Sequence, residues 1–131
     1  MLKKLFSGLL LLVISDLTAC RIDGEVCVAK VYVQNSSSDN LKVEVVYNST
    51  ENNFCSSCTL SAGEHLLIGS KGDIGGSPFP QQFINSIKIY RNDSLKISSD
   101  APFDNMHQTF EKGEKKYDKN FTFTIISTDI N

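Results

Sequence analysis

The chain has no tryptophan and only two histidines, His65 and His107. They lie far apart and outside the paired spacing of a zincin, so a helix-borne zinc hydrolase is not encoded here. A Gly-x-Ser-x-Gly elbow and a Ser-x-x-Lys pair are both missing, which removes the usual signatures of serine-nucleophile hydrolases. The glycine-rich stretch Gly69–Ser77 lacks the Gly-Lys-Ser/Thr ending of a phosphate-binding loop. Charge is short too. The net value is −2, whereas a nucleic-acid surface is distinctly basic. Beyond Ile14 no long apolar run occurs, so residues 15–131 carry no sequence able to cross a bilayer as a helix. No catalytic constellation and no cofactor signature remain.

What is present begins at the N-terminus. Lys3 and Lys4 precede a ten-residue apolar run, Leu5 to Ile14. A spanning helix needs about 20 such residues, so the run fits the core of a secretory signal. Leu17-Thr18-Ala19-Cys20 follows, and here the segment resembles a bacterial lipoprotein signal, whose lipobox reads Leu, a small or medium residue, a small residue, then Cys. The resemblance implies cleavage before Cys20, a diacylglyceryl group on its sulfur and an acyl chain on its new amine. Two or three chains make such an anchor stable, where one holds only reversibly. The alternative is an ordinary secretory signal cut near Ala19, with Cys20 incidental. The expected organisation is therefore a signal peptide at 1–19, a lipidated Cys and tether at 20–25, and one domain at 26–131. Loss of Lys3, Lys4 and Asp16 takes the net charge to −3.

In the tether, Asp23 and Glu25 loosely resemble the acidic surface-export signal of Bacteroides-like lipoproteins, though Arg21 and Gly24 interrupt it. Arg21 also differs from the Asp that marks inner-membrane retention in enterobacterial lipoproteins. The resemblance implies an outer-membrane location, with the periplasmic and surface faces both open.

From Val26 the pattern has period two. Cys27, Ala29, Val31 and Val33 share one face, and Val28, Lys30, Tyr32 and Gln34 the other, as in a half-buried strand. Asn35–Asn40 is a polar turn whose short side chains bond their own backbone. Leu41 to Tyr47 alternates again, so the two strands are expected to form a hairpin. Further strands are expected at Thr59-Leu60 and His65–Ile68. A long Gly/Pro loop follows at 69–82, then strands at Phe83–Arg91 and Leu95–Ser98, the latter entered through the tight turn Asn92-Asp93-Ser94. Residues 99–119 read as polar connection, with Phe103, Met106 and Phe110 available to tack it to the core. Phe121 to Ser127 is the last strand.

About six or seven short strands with no amphipathic helix give an all-β fold, a small antiparallel β-sandwich, because each alternating strand must bury one face against a second sheet. In Leu60-Ser61-Ala62-Gly63-Glu64 and Phe121-Thr122-Phe123-Thr124-Ile125 the chain resembles small lipoproteins of Bacteroides-like bacteria. That likeness implies an immunoglobulin-like or transthyretin-like sandwich and no particular activity.

The candidate sites are few. Cys55-Ser56-Ser57-Cys58 has dithiol spacing, but the strand and turn that follow supply no helix N-terminus to lower a thiol pKa. With Cys27 and His65 it also makes a Cys₃His zinc set on paper. Exported cysteines more often pair with each other. Lipidation of Cys20 leaves Cys27, Cys55 and Cys58, an odd number from which one disulfide is expected. Cys27 with Cys55 or Cys58 would close a loop of about 30 residues, worth ~3–4 kcal/mol on the chain-entropy model, and Cys55–Cys58 far less. Asp93-Ser94-Leu95 resembles the O-glycan acceptor of exported Bacteroides-type proteins, which marks Ser94. Tyr32, Tyr90 and Phe79 are candidates for an exposed aromatic patch. The expected function is a lipid-anchored, noncatalytic interaction module with an unidentified protein or glycan partner and no nucleic acid. The competing expectation is a Cys-based redox or metal-binding envelope protein.

Overall fold

The computed structural model describes residues 26–48, 54–73, 78–113 and 117–131. They form eight strands: β1 (Cys27–Asn35), β2 (Leu41–Tyr47), β3 (Ser57–Leu60), β4 (His65–Asp73), β5 (Ile84–Arg91), β6 (Ser94–Asp100), β7 (His107–Lys112) and β8 (Lys119–Ile125). Two four-stranded sheets, ordered β4-β1-β8-β7 and β3-β2-β5-β6, pack as a β-sandwich. No α-helix occurs among the described residues, and no helix there is long and apolar enough to cross a membrane.

Period-two patterning builds the core as expected. β1 alternates fully buried with half-buried residues along its whole length. Val31 and Val33 of the first sheet and Val43, Ile87 and Ile89 of the second have no exposed surface. Burying each such side chain contributes about 1.5–3 kcal/mol, so the five positions together supply about 7–15 kcal/mol. Phe103 stacks edge-on against Phe123, their ring centroids 5.1 Å apart.

The expected β1–β2 hairpin does not form. β1 pairs with β4 and β8, whereas β2 pairs with β3 and β5. Residues 36–40 instead carry the chain from one sheet to the other. Both arrangements bury the same alternating faces, but the crossing sets the Val31/Val33 row opposite the Leu41/Val43 row. Asn35 holds the crossing. Fully buried, it donates through Nδ2 to the carbonyls of Asp39 (2.8 Å) and Leu60 (3.1 Å). Its Oδ1 accepts from the Ser37 amide (3.0 Å) and hydroxyl (2.6 Å). Its own amide donates to Glu64 O and its carbonyl accepts from Gly63 N.

Three further differences have physical causes. β4 runs on to Asp73, five residues into the expected loop. Glycine reads as a loop signal, yet at Gly69 an added Cβ would lie 2.8 Å from the Phe83 ring, and at Gly72 the same distance from a Val26 methyl. These glycines admit close packing to a strand. β7 lies within the segment read as connection, and all six of its residues are exposed, so it carries no apolar alternation to reveal it. Finally, β1 and β8 pair in parallel while every other ladder is antiparallel.

The β5–β6 turn does form at its expected place. Arg91 pairs with Ser94, leaving Asn92 (φ 50°) and Asp93 (φ 64°) as a two-residue loop. Two positive φ values define the type I′ turn, which matches strand twist and favours Asn and Asp. Phe103 and Met106 do tack the β6–β7 connection to the core, while Phe110 stands 55% exposed on β7.

Candidate functional site

The sandwich separates the sulfur candidates. Cys55 and Cys58 are joined by a disulfide, with Cα atoms 5.7 Å apart. Cys58 lies within β3, and Cys55 is buried in the approach to it with its Sγ 3.7 Å from the Val43 carbonyl. No helix begins at Cys55. Cys27 starts β1 and is buried. His65 pairs with Gln34, seven residues further along β1, which at about 3.3 Å per residue is roughly 23 Å from Cys27. The Cys₃His set is therefore not assembled, and no group of three or more metal-binding side chains occurs among the described residues. Cys20 lies outside the described residues.

Tyr47 anchors the disulfide segment. Its hydroxyl donates to the Ile68 carbonyl of β4 and accepts from the Cys55 amide at 3.0 Å. It thus ties both the second sheet and the Cys55 approach to the first sheet. Burial pushes the Tyr47 phenol above its ordinary range, and its hydrogen bonds to the main chain at Cys55 and Phe54 oppose the shift.

The three aromatic candidates do not form one patch. Tyr32 lies on the outer face of the first sheet, stacked on His65 at 4.3 Å. Tyr90 lies on the outer face of the second sheet, under the Lys42 ammonium at 5.3 Å. The same ammonium lies 3.1 Å from Glu44, and its hydrogen bond draws that carboxyl below its usual range. These residues alternate with buried neighbours on strands of opposing sheets, so they face opposite ways. Ser94 is exposed immediately after the type I′ turn, with Asp93 and Leu95 exposed on either side. An acceptor tripeptide there stands clear of the core.

Phe79 belongs to a different grouping, at the flank where β7 borders β8. Phe110 is the direct cross-strand neighbour of Phe121, their rings 5.5 Å apart. Phe79 approaches Phe121 from the loop before β5, at 6.2 Å. The Lys119 ammonium sits over both exposed rings, 5.3 Å from Phe79 and 5.8 Å from Phe110. Partial burial pulls Lys119 below its ordinary lysine range. Lys112 is the direct cross-strand neighbour of Lys119. Because Phe121 faces the core, Phe110 and both lysines share the core-side face of the sheet. β7 is its edge strand, and that face is open to solvent there. Two lysines directly opposite each other repel, and among the described residues no carboxylate lies within ion-pairing distance of either.

Phe110, Lys112 and Lys119 were not singled out as site residues from sequence. The run Phe110-Glu111-Lys112 reads as a polar connection until β7 is known to be a strand. Only then does period two put Phe110 and Lys112 on one face. The one available signal was Phe110 itself, an aromatic stranded in a charged segment. No family model matches the chain, and no curated protein or solved structure matches it.

Proposed function

We propose that this protein is a noncatalytic interaction module, anchored in the outer envelope through a lipidated Cys20. The observation that carries the binding role is the uncovered corner of Phe79, Phe110 and Lys119, with Lys112 beside it. Exposed aromatic rings such as Phe79 and Phe110 are enriched where proteins meet partners, and among the described residues no carboxylate lies within ion-pairing distance of Lys112 or Lys119. Lipidation is supported by the Leu17-Thr18-Ala19-Cys20 lipobox, and the exposed hairpin tip supports Ser94 as an O-glycan acceptor.

The test uses the protein from its native envelope. Intact mass should show loss of residues 1–19 and a diacylglyceryl addition at Cys20. A disulfide from Cys20 to Cys27 would overturn lipidation, since one sulfur cannot carry both bonds. Envelope proteins captured by the wild type should be lost with Phe110→Ser and Phe79→Ser. Capture unchanged in both variants would overturn the interaction role of this corner.

A further inference from the structure

Each sheet of an open sandwich ends in strands whose outward main-chain groups lack a ladder partner, and proteins blunt such edges by shortness, bulges, cover or charged side chains. Three of the four edges here are blunted by shortness or a register shift. β3 has only four residues. β4 meets β1 with a register shift at Val31/Tyr32, and β6 meets β5 with one at Ile89/Tyr90. β7 differs: its six residues, His107–Lys112, pair with β8 in unbroken register, and all are exposed, so its guard is charge, with Lys112 on the core-side face repelling a cationic strand but not an acidic one. The straight edge carries Phe110 and Lys112 of the uncovered aromatic–lysine corner.

We infer that β7 is an acceptor edge for an extended acidic segment of a partner protein, which adds to the first sheet as a further strand. Main-chain hydrogen bonding along β7 would supply affinity, and alternate side chains the selectivity. Those facing the core side would meet Gln108, Phe110 and Lys112 in turn. An apolar side chain opposite Phe110 covers its ring and extends the Phe79–Phe121–Phe110 row. A carboxylate two residues along lies opposite Lys112, with Lys119 one strand further in, and offsets the repulsion between the two ammonium groups. The segment recognised is therefore an acidic residue and an apolar residue separated by one position. This assignment rests on the interaction role proposed above and adds the chemistry of its partner.

The probes are two synthetic peptides of about ten residues, one alternating threonine with valine and glutamate, the other with lysine in place of glutamate. Binding to the full ¹⁵N-labelled chain is followed by anisotropy and amide exchange. The glutamate peptide should bind and protect amides of His107–Lys112, and the lysine peptide should bind at least tenfold more weakly. Phe110→Ser should lower affinity at least tenfold with an unchanged spectrum elsewhere. Lys112→Glu with Lys119→Glu should reverse the preference between peptides. Equal binding of both peptides, or protection confined to other strands, would overturn the inference. So would dimerisation through β7 in sedimentation, which makes a second copy the occupant. A polyuronate that shifts the Phe110 and Lys119 resonances without protecting β7 amides would also overturn strand addition. The last two outcomes leave the interaction role standing; that role fails only if native capture ignores Phe110→Ser and Phe79→Ser.

Discussion

The Asn35 carboxamide donates to the Leu60 carbonyl at 3.1 Å, joining β1 of one sheet to β3 of the other. A buried amide so placed fixes where the chain changes sheets. Asn35→Ala leaves the Ser37 donors and the Leu60 and Asp39 carbonyls without this partner. Unmade buried hydrogen bonds cost about 1–3 kcal/mol per group, so a stability loss of about 2–4 kcal/mol is expected in urea unfolding, while Asn40→Ala, at an exposed position of the same crossing, should cost clearly less.

Tyr47 sets an alkaline limit. Its folded-state pKa is raised above the ordinary value of 10.0 by burial. The stability it contributes is fully present below that unfolded value and is lost as pH rises through the higher folded value. Urea midpoints measured from pH 8 to 11.5 should fall more steeply above pH 10 in wild type than in Tyr47→Phe. At neutral pH Tyr47→Phe should itself cost about 1–3 kcal/mol, because the Ile68 carbonyl and Cys55 amide lose their partner.

The Cys55–Cys58 disulfide closes a very short loop. The chain-entropy relation gives about 2 kcal/mol for it. Cys58→Ser, paired with Cys55→Ser to avoid a stray thiol, should lower stability by about that amount and keep the strand signal in far-ultraviolet dichroism. Complete unfolding of the double variant at 25 °C would show that the bond does more than hold the entry to β3.

Gly69→Ala distinguishes strand from loop. A flexible surface glycine accepts alanine at little cost or with a small gain. At this position the added Cβ would press on the Phe83 ring at 2.8 Å, and overpacking of that kind costs about 1–3 kcal/mol. A lower melting temperature for Gly69→Ala is the expected result.

Ser94→Ala should remove carbohydrate mass from protein isolated from the native host. Because Ser94 is exposed, the unmodified variant should match wild type within about 0.5 kcal/mol. Equal intact masses before and after the substitution, apart from one oxygen, would leave Ser94 as a plain turn residue.

How much of this was legible varies with the residue. Val31, Val33, Leu41 and Val43 announce buried strand faces because side chains alternate every second residue, whatever the strand pairs with. Asn92-Asp93 announces its turn because positive φ is tolerated best by Gly, Asn and Asp. Gly69 and Gly72 misdirect, since the same absent side chain serves a loop or a tightly packed strand. Phe110 reads from sequence as a residue that tacks a connection to the core, because its neighbours Glu111 and Lys112 carry no strand pattern; its exposure follows from β7 being an edge strand held by its ladder to β8.

The sequence alone determined that this is an all-β chain with two-faced strands, because hydrophobic alternation at period two is a local property of each segment. The tertiary structure decided which strands are neighbours. Alternation is satisfied equally by a hairpin and by a crossing between sheets, so the choice for β1 and β2 fell to the buried hydrogen bonds of Asn35 and to the parallel ladder with β8. The same assembly placed β7 at an edge and left Phe110 and Lys112 facing outward from the core side. That exposure belongs to the packing of two sheets, and no single segment encodes it.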